Sequence, residues 1–225
     1  MSVITIARQL GSSGDWIAEQ VAQKLGYQCV DRRLVEEMAG LADVPVEEVE
    51  KLDEKGEGRI ALFLKRLLVP EAGAGGLPLA VGFPEFGMEF PYLLERGRPE
   101  KNTYMDRGTY QLLITTLVQD FGATGKAVVV GRASQMILAE LPGAFHYRVV
   151  APFKLRCERL AQARQMGLES AARLVEQHDR WRKQYLENYY SADWDDPLLY
   201  HLTVNTGKVT PEAAVELIAG QAAGG

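Results

Sequence analysis

The amino-acid sequence predicts a three-layer α/β/α domain built on a parallel β-sheet. Three observations carry that expectation. Short β-branched runs alternate with segments of helical period along most of the 225-residue chain. The strongest runs are continuously apolar rather than alternating, as strands buried on both faces require. The first run ends in a Gly/Ser turn that leads straight into a helix.

Val3, Ile4, Thr5, Ile6 and Ala7 form the first strand. Ile17, Val21 and Leu25 then recur at i, i+4 and i+8 as one apolar helix stripe, and Gly26 follows as the C′ residue. Residues 27–30 make a short second strand, and Leu34, Met38 and Leu41 mark a second helix. Residues 43–69 read as helical with mixed charges, whereas residues 70–99, rich in Gly, Pro and Phe, show no period and read as a long loop or insertion. Tyr110, Leu113, Ile114, Leu117, Val118 and Phe121 fit the helix template, with Gly122 and Gly125 as its stop. Residues 126–131 are the strongest strand. A helix through Ile137, Leu138 and Leu141 ends at Pro142 and Gly143, and residues 145–150 give another strand. Two helices, at about 153–166 and 168–190, carry most of the C-terminal arginines, and residues 202–204 form the last strand. Thr210 then N-caps a final helix with Pro211 at its first position and Ala214, Leu217 and Ile218 as its stripe.

Composition narrows the function. The chain is 47% hydrophobic and 24% charged, which is ordinary for a globular domain and outside the disordered class. A net charge of −5 disfavours a nucleic-acid-binding surface and leaves clustered arginines as local anion sites. Cys29 and Cys157 are too few for a disulfide framework and match no zinc spacing, so two reduced thiols in a cytoplasmic protein are expected. Residues 1–6 lack the basic and long apolar regions of a signal peptide. No apolar run approaches the roughly 18 residues of a membrane span. His146, His178 and His201 show no metal spacing and read as core or surface residues. Trp181, Tyr185, Tyr189 and Tyr190 read as a packed aromatic stripe.

In an open parallel sheet, ligands bind beyond the carboxyl ends of the strands. The first such turn here is Arg8-Gln9-Leu10-Gly11-Ser12-Ser13-Gly14-Asp15. Glycines let the backbone curl closely, and a helix start offers free N–H groups and partial positive charge to a phosphate. A tight turn without ligand is the plainer reading of the turn taken alone. The literal Walker A pattern is absent, because Asp15 and Trp16 follow Gly14 where Lys and Ser or Thr would stand. Asp15 either repels phosphates, unless magnesium or an arginine intervenes, or complements the helix dipole.

The segments ITIARQLGSSGDWIAEQVAQKLGYQCVDRRLVEEMA, VVVGRASQMIL, VVAPFKLRCERL, the run from Asp179 through Tyr190 to DWDDP, and HLTVNTGKVTPEAAVELI stand in an order that resembles the cytidylate kinase-like family. The resemblance covers the chain apart from about 55–105. It implies an α/β/α sheet of the P-loop nucleoside monophosphate kinase type, with a core at about 1–42 and 106–225, an acceptor-side insertion at 43–105 and a lid at about 156–190. By position it implies that Gly11, Ser12, Ser13, Gly14 and Asp15 bind the phosphates of ATP, with Mg2+. Arg8 precedes that loop, Asp31 lies on the acceptor side, Arg132 is an acceptor-site arginine and Arg182 a lid arginine. A planar guanidinium suits bidentate phosphate binding at Arg132. Asp31 reads equally as the N-cap of the helix after it. Asn205 and Thr206 would lie near a nucleotide base, or form a turn ending in Gly207. Arg156, Arg159, Arg164, Arg173 and Arg180 offer charge neutralisation or a solvated face with Glu158 and Glu176 as partners.

The resemblance thus implies a kinase that moves the ATP γ-phosphoryl group to a nucleoside monophosphate, CMP or dCMP. The partner expected is the nucleotide substrate, with no nucleic acid, no membrane and a possible homo-oligomer. A non-catalytic nucleotide- or anion-binding module is the alternative, favoured by Asp15 and Trp16. A structural protein using the apolar segment 77–93 as an interface is a further one.

Overall fold

A computed structural model describes residues 2–31 and 107–224. The chain divides into two compact units, Met1–Arg32 with Val118–Gly225, and Arg33–Leu117. Of the second unit, residues 107–117 are described, the start of a helix. The expectations for residues 34–105, the acceptor-side insertion at 43–105 among them, lie outside the described residues.

In chain order the described elements are β1 (Val3–Arg8), α1 (Gly14–Leu25), β2 (Gln28–Val30), α2 (Arg107–Thr124), β3 (Ala127–Val130), α3 (Ser134–Ile137), β4 (Ala144–Val150), α4 (Phe153–Arg164), α5 (Leu168–Tyr190), a 3-10 turn (Pro197–Leu199), β5 (Leu202–Asn205) and α6 (Pro211–Gly224). The five strands form one parallel sheet in the order β2-β3-β1-β4-β5. Strand β1 is central. Its Ile4 faces Val128 of β3 and Phe145 of β4 in register.

One sheet face carries the main core. Ile4, Ile6, Val128, Val130, Tyr147, Val149 and Val204 pack with Ile17, Ala18, Val21 and Ala22 of α1 and with Ala214, Val215, Ile218 and Ala222 of α6. These are the helix stripes read from the sequence, apart from Leu217, which is half exposed. Gly26 ends α1 at φ +64 and returns its N–H to the last turn, as the αL cap requires. Thr210 Oγ1 accepts from the Ala213 N–H at 3.2 Å, so it caps α6 as expected.

The opposite face is more polar under β4. Thr5 Oγ1 lies 2.8 Å from His146 Nδ1, and the His146 backbone N–H donates to His201 Nδ1 at 2.9 Å. Burial, with the neighbouring His201, lowers the His146 pKa to about 4, so the imidazole is neutral. Among the described residues no three His, Cys, Asp or Glu side chains are grouped to hold a metal. No described helix is long and apolar enough to cross a membrane.

Two helix expectations change. Helix α2 does not stop at Gly122 but runs to Thr124, and Gly125 at φ +67 ends it. Gly122 is there for closeness: a Cβ would sit 2.7 Å from Leu138 Cδ2 and 3.0 Å from Leu141 Cδ2. The helix through Ile137 and Leu141 is correspondingly short, four residues ending at Ile137. Leu138 and Leu141 lie in the turns beyond it, against α2.

Helices α4 and α5 form a hairpin with a small core of its own. Cys157, Leu160, Ala171 and Val175 are buried together, and Leu10 and Met166 pack against them. The elbow between the helices holds Gln165 at φ +51 and an exposed Gly167 with open space around its Cα. Farther along, α5 lays Leu186 on Ala133 and Trp194, with Tyr185 and Tyr190 beside them.

Candidate functional site

The β1–α1 loop lies at the carboxyl end of the central strand, where β3 and β4 flank it. Gly11 has φ +79, and Ser13, the N-cap of α1, has φ +66. Ser13 makes no side-chain cap, so the first N–H groups of α1 have no intrahelical acceptor and no hydroxyl cap. Ser12 is fully buried, and its Oγ and N–H both donate to the Gln9 carbonyl, at 2.7 and 3.2 Å. Its hydroxyl serves the loop's own turn.

Arg8 threads between two glycines. A Cβ on Gly14 would fall on Arg8 Cβ, and one on Gly131 would fall on Arg8 Nη1. The guanidinium then donates through Nε to Asp15 Oδ1 at 2.8 Å. Asp15 thus stands where a basic residue was expected, with an arginine already at its carboxylate.

The loop rests on α4 and on the end of β5. A Cβ on Gly11 would lie 2.5 Å from the Arg156 carbonyl oxygen. Arg156 is buried and forms a bidentate pair with Asp179 of α5, at 3.1 and 2.8 Å. Its Nε donates to the Ala151 carbonyl at 3.0 Å. Thr206, also buried, donates through Oγ1 to the Ser12 carbonyl at 2.8 Å. Arg159 reaches Thr206 twice, Nη1 to Oγ1 at 2.9 Å and Nη2 to the carbonyl at 3.1 Å.

Beyond β3, Gly131, Arg132 and Ala133 all have left-handed backbone, at φ +71, +58 and +50. Two successive non-glycine residues there store strain, which the packing of α5 and Trp194 on Ala133 holds in place. Burial pushes the Tyr185 hydroxyl well above its usual range, Tyr190 adds to this, and the Arg132 guanidinium pulls the other way. The charge of Arg132 is thus felt at Tyr185 of α5, whose Leu186 packs on the neighbouring Ala133. The Arg182 guanidinium lies 6.0 Å from the Trp194 ring centroid, and that of Arg148 at 4.6 Å. Asp195 bonds Arg148 and Lys183 together, and these bonds hold its carboxyl below the usual range although burial acts against them.

The structure therefore brings Arg8, Gly11, Ser12, Ser13, Gly14 and Asp15 into one loop and sets Gly131 against Arg8. Arg132 and Arg182 stand at α5 and the Trp194 segment. Asp31 follows β2 and, after burial, is the largest charge raising the Cys29 thiol to about 11; the helix it was read as capping lies outside the described residues. Asn205 and Thr206 form a turn, with Asn205 Oδ1 accepting from the Gly207 N–H at 2.9 Å. Arg156 and Arg159 pair with Asp179 and Thr206 rather than with Glu158 and Glu176. Arg173 pairs with Glu169 at 2.9 Å on an exposed face, and Arg164 and Arg180 are exposed. Sequence reasoning missed Gln9, whose Oε1 accepts from the Ala151 N–H at 3.0 Å, and the bracing role of Thr206. A hydroxyl residue directly after the last strand was the signal for Thr206.

A five-stranded parallel sheet with helices on both faces, and a glycine loop between its central strand and the first helix, defines an α/β/α domain of the P-loop nucleoside monophosphate kinase type. The chain belongs to the cytidylate kinase-like family, whose family model matches residues 3–208. Cytidylate kinases from Halobacterium salinarum and Pyrococcus horikoshii are 31% and 35% identical to it over 68 and 69 residues. Each match covers 30% of this chain and 35% of the relative. A uronate isomerase from Corynebacterium glutamicum is 29% identical over 91 residues, 40% of this chain and 18% of that protein. The matched stretches thus span about a third or less of these curated relatives. A solved structure of an uncharacterized protein from Eubacterium ventriosum is similar in fold over 99% of both chains, with a TM-score of 0.65 and 15% identity.

Proposed function

We propose that the protein transfers the γ-phosphoryl group of ATP to a nucleoside monophosphate, with CMP or dCMP as acceptor. The observation that carries this reading is the loop at the end of β1. An α1 start without a side-chain cap follows a glycine turn, and Arg8 lies across it toward the Arg132 turn. The N–H groups of residues 14–16 would bind the phosphates of ATP. An acceptor phosphate oxygen attacks the γ-phosphorus in line, its bond to the β–γ bridging oxygen breaks, and ADP leaves. Arg8, Arg132 and Arg182 would balance the charge on the transferring group, and Asp31 would contact the acceptor.

Mg2+ on the phosphates would supply further charge neutralisation. The residues fit a magnesium that keeps most of its waters and takes few protein ligands. Asp15 and the Ser13 hydroxyl are the loop oxygens able to share it.

The test is ADP release from ATP-magnesium across a panel of nucleoside monophosphates, beside thermal stability with each ligand. Release with CMP or dCMP alone supports the assignment, and release with another acceptor changes the substrate. Asp15 and Trp16, in the positions of the Walker lysine and hydroxyl residue, favour a second reading as a nucleotide-binding module without transfer. Stabilisation by ATP with no ADP released under any acceptor would establish it.

A further inference from the structure

We propose that Thr206 and Arg159, aided by Arg156, are positioning residues for the phosphate loop. They hold its carbonyls from behind and thereby turn its amide N–H groups toward the ligand. The proposal rests on residues 8–15 being the phosphate site.

The geometry of the trans peptide carries the argument. In a trans peptide the carbonyl and the next residue's N–H point in opposite directions, and no described peptide bond is cis. The Ser12 carbonyl is fixed by Thr206 Oγ1 at 2.8 Å, so the Ser13 N–H points away from Thr206. The Gln9 carbonyl is fixed by Ser12, so the Leu10 N–H points away from the turn interior. Arg156 Nη1 stands 3.5 Å from the Leu10 carbonyl, a longer contact in the same sense for the Gly11 N–H. The carbonyls of Gln9, Leu10 and Ser12 are thus held inward and leave the Leu10, Gly11 and Ser13 N–H groups on the outer side, while the Ser12 N–H is spent on the Gln9 carbonyl. Such an arrangement is a nest for anions.

Thr206 is suited to the task by its own fastening. Its N–H donates to the Val150 carbonyl at 2.8 Å, which ties it to the end of β4. Its hydroxyl accepts from Arg159 while it donates to Ser12, so the cation polarises the O–H that holds the loop. Among the described residues no carboxylate pairs with Arg159, so its positive charge also stands behind the donors. Arg156, by contrast, is neutralised by Asp179 and contributes geometry rather than charge. Leu10 adds an apolar anchor in the α4–α5 core. Arg156 and Arg159, read from the sequence as either charge neutralisers or a solvated face, thus brace the loop in this reading.

The test uses the full chain with Thr206→Val and Thr206→Ser. Valine keeps the shape and removes the hydroxyl, whereas serine keeps the hydroxyl. Two quantities are read: NMR hydrogen exchange at the Ser12 amide without nucleotide, and ATP-magnesium affinity with the KM and kcat of any turnover. Freeing the Ser12 carbonyl should loosen the Gln9–Ser12 turn and so speed exchange of the Ser12 N–H, which donates to Gln9, about tenfold, and should weaken ATP about tenfold in the valine variant. KM should rise while kcat stays within about threefold, and serine should restore both quantities. Unchanged Ser12 exchange, or faster exchange with unchanged ATP affinity, overturns the proposal. Failure of serine to rescue overturns it as well. Should the valine variant not fold, Arg159→Gln replaces it, with a several-fold loss of ATP affinity expected and wild-type affinity as the contrary result. Wild-type protein that does not bind ATP defeats the phosphate-site reading, and the exchange comparison alone then decides whether Thr206 fixes the loop.

Discussion

Arg8 Nε donates to Asp15 Oδ1 at 2.8 Å, with the arginine side chain 17% exposed and the aspartate 64%. The acid that departs from the usual phosphate loop is therefore the partner of a more buried cation, which it partly neutralises. Asp15→Asn should leave Arg8 its full charge and tighten ATP binding several-fold. The pair is exposed enough that stability should change by less than about 1 kcal/mol. Calorimetric titration at low and high salt measures the affinity, whose gain should shrink with salt, and urea unfolding measures the stability. Weaker binding would mean that Asp15 holds Arg8 in place or shares the magnesium.

In the proposed function Arg132 serves the acceptor and not ATP. Arg132→Ala should lower kcat/KM for the nucleoside monophosphate about 100-fold and leave ATP affinity within about twofold. Steady-state kinetics beside direct ATP titration give the two numbers. Equal loss on both sides would place Arg132 at the ATP phosphates.

Two glycines with left-handed backbone make a matched pair. Gly26→Ala meets open space, so only backbone strain opposes it, about 1 kcal/mol. Gly11→Ala adds a collision with the Arg156 carbonyl, a backbone atom that cannot swing aside. It should cost about 3 kcal/mol or more. Urea unfolding of both variants tests the difference, and equal losses would mean that the loop is free to lift off α4.

His146 makes stability depend on pH. Its pKa is about 4 in the fold against 6.5 ordinarily, so between those values the unfolded chain binds the extra proton. Its contribution is whole above pH 6.5 and is lost as pH falls toward 4, with a slope of about 1.4 kcal/mol per unit. His146→Gln should remove that slope from unfolding curves measured at pH 4.5–7, whatever its effect at pH 7.

The strands were legible because a buried parallel strand is written in adjacent residues. All five expected strands stand within a residue of their sequence limits, and the C′ glycine of α1 and the cap at Thr210 are equally local. What the sequence hid depends on distant residues meeting. Gly122 looks like a helix stop until Leu138 and Leu141 are seen against it. Arg156 and Arg159 look like free cations until Asp179 and Thr206 arrive from 23 and 47 residues away. At the candidate site, the glycines at 11 and 14 and the departure at Asp15 could be read locally. The burial of Ser12 against Thr206 and the course of Arg8 past Gly131 could not, since residues distant in the chain create them.

The elbow at Gln165 and Gly167 has a consequence for chain connectivity. Beyond it, α5 is fastened at Asp179 to Arg156 and at Leu186 to Ala133, and Asp195 is bonded to Arg148. Those fastenings, and the pairing of β5 with β4, join what comes before the elbow to what comes after it without using the peptide bonds between. Residues 165–167 are thus where the polypeptide can be cut. Two fragments meeting there would rebuild one sheet, four strands from the first and β5 from the second.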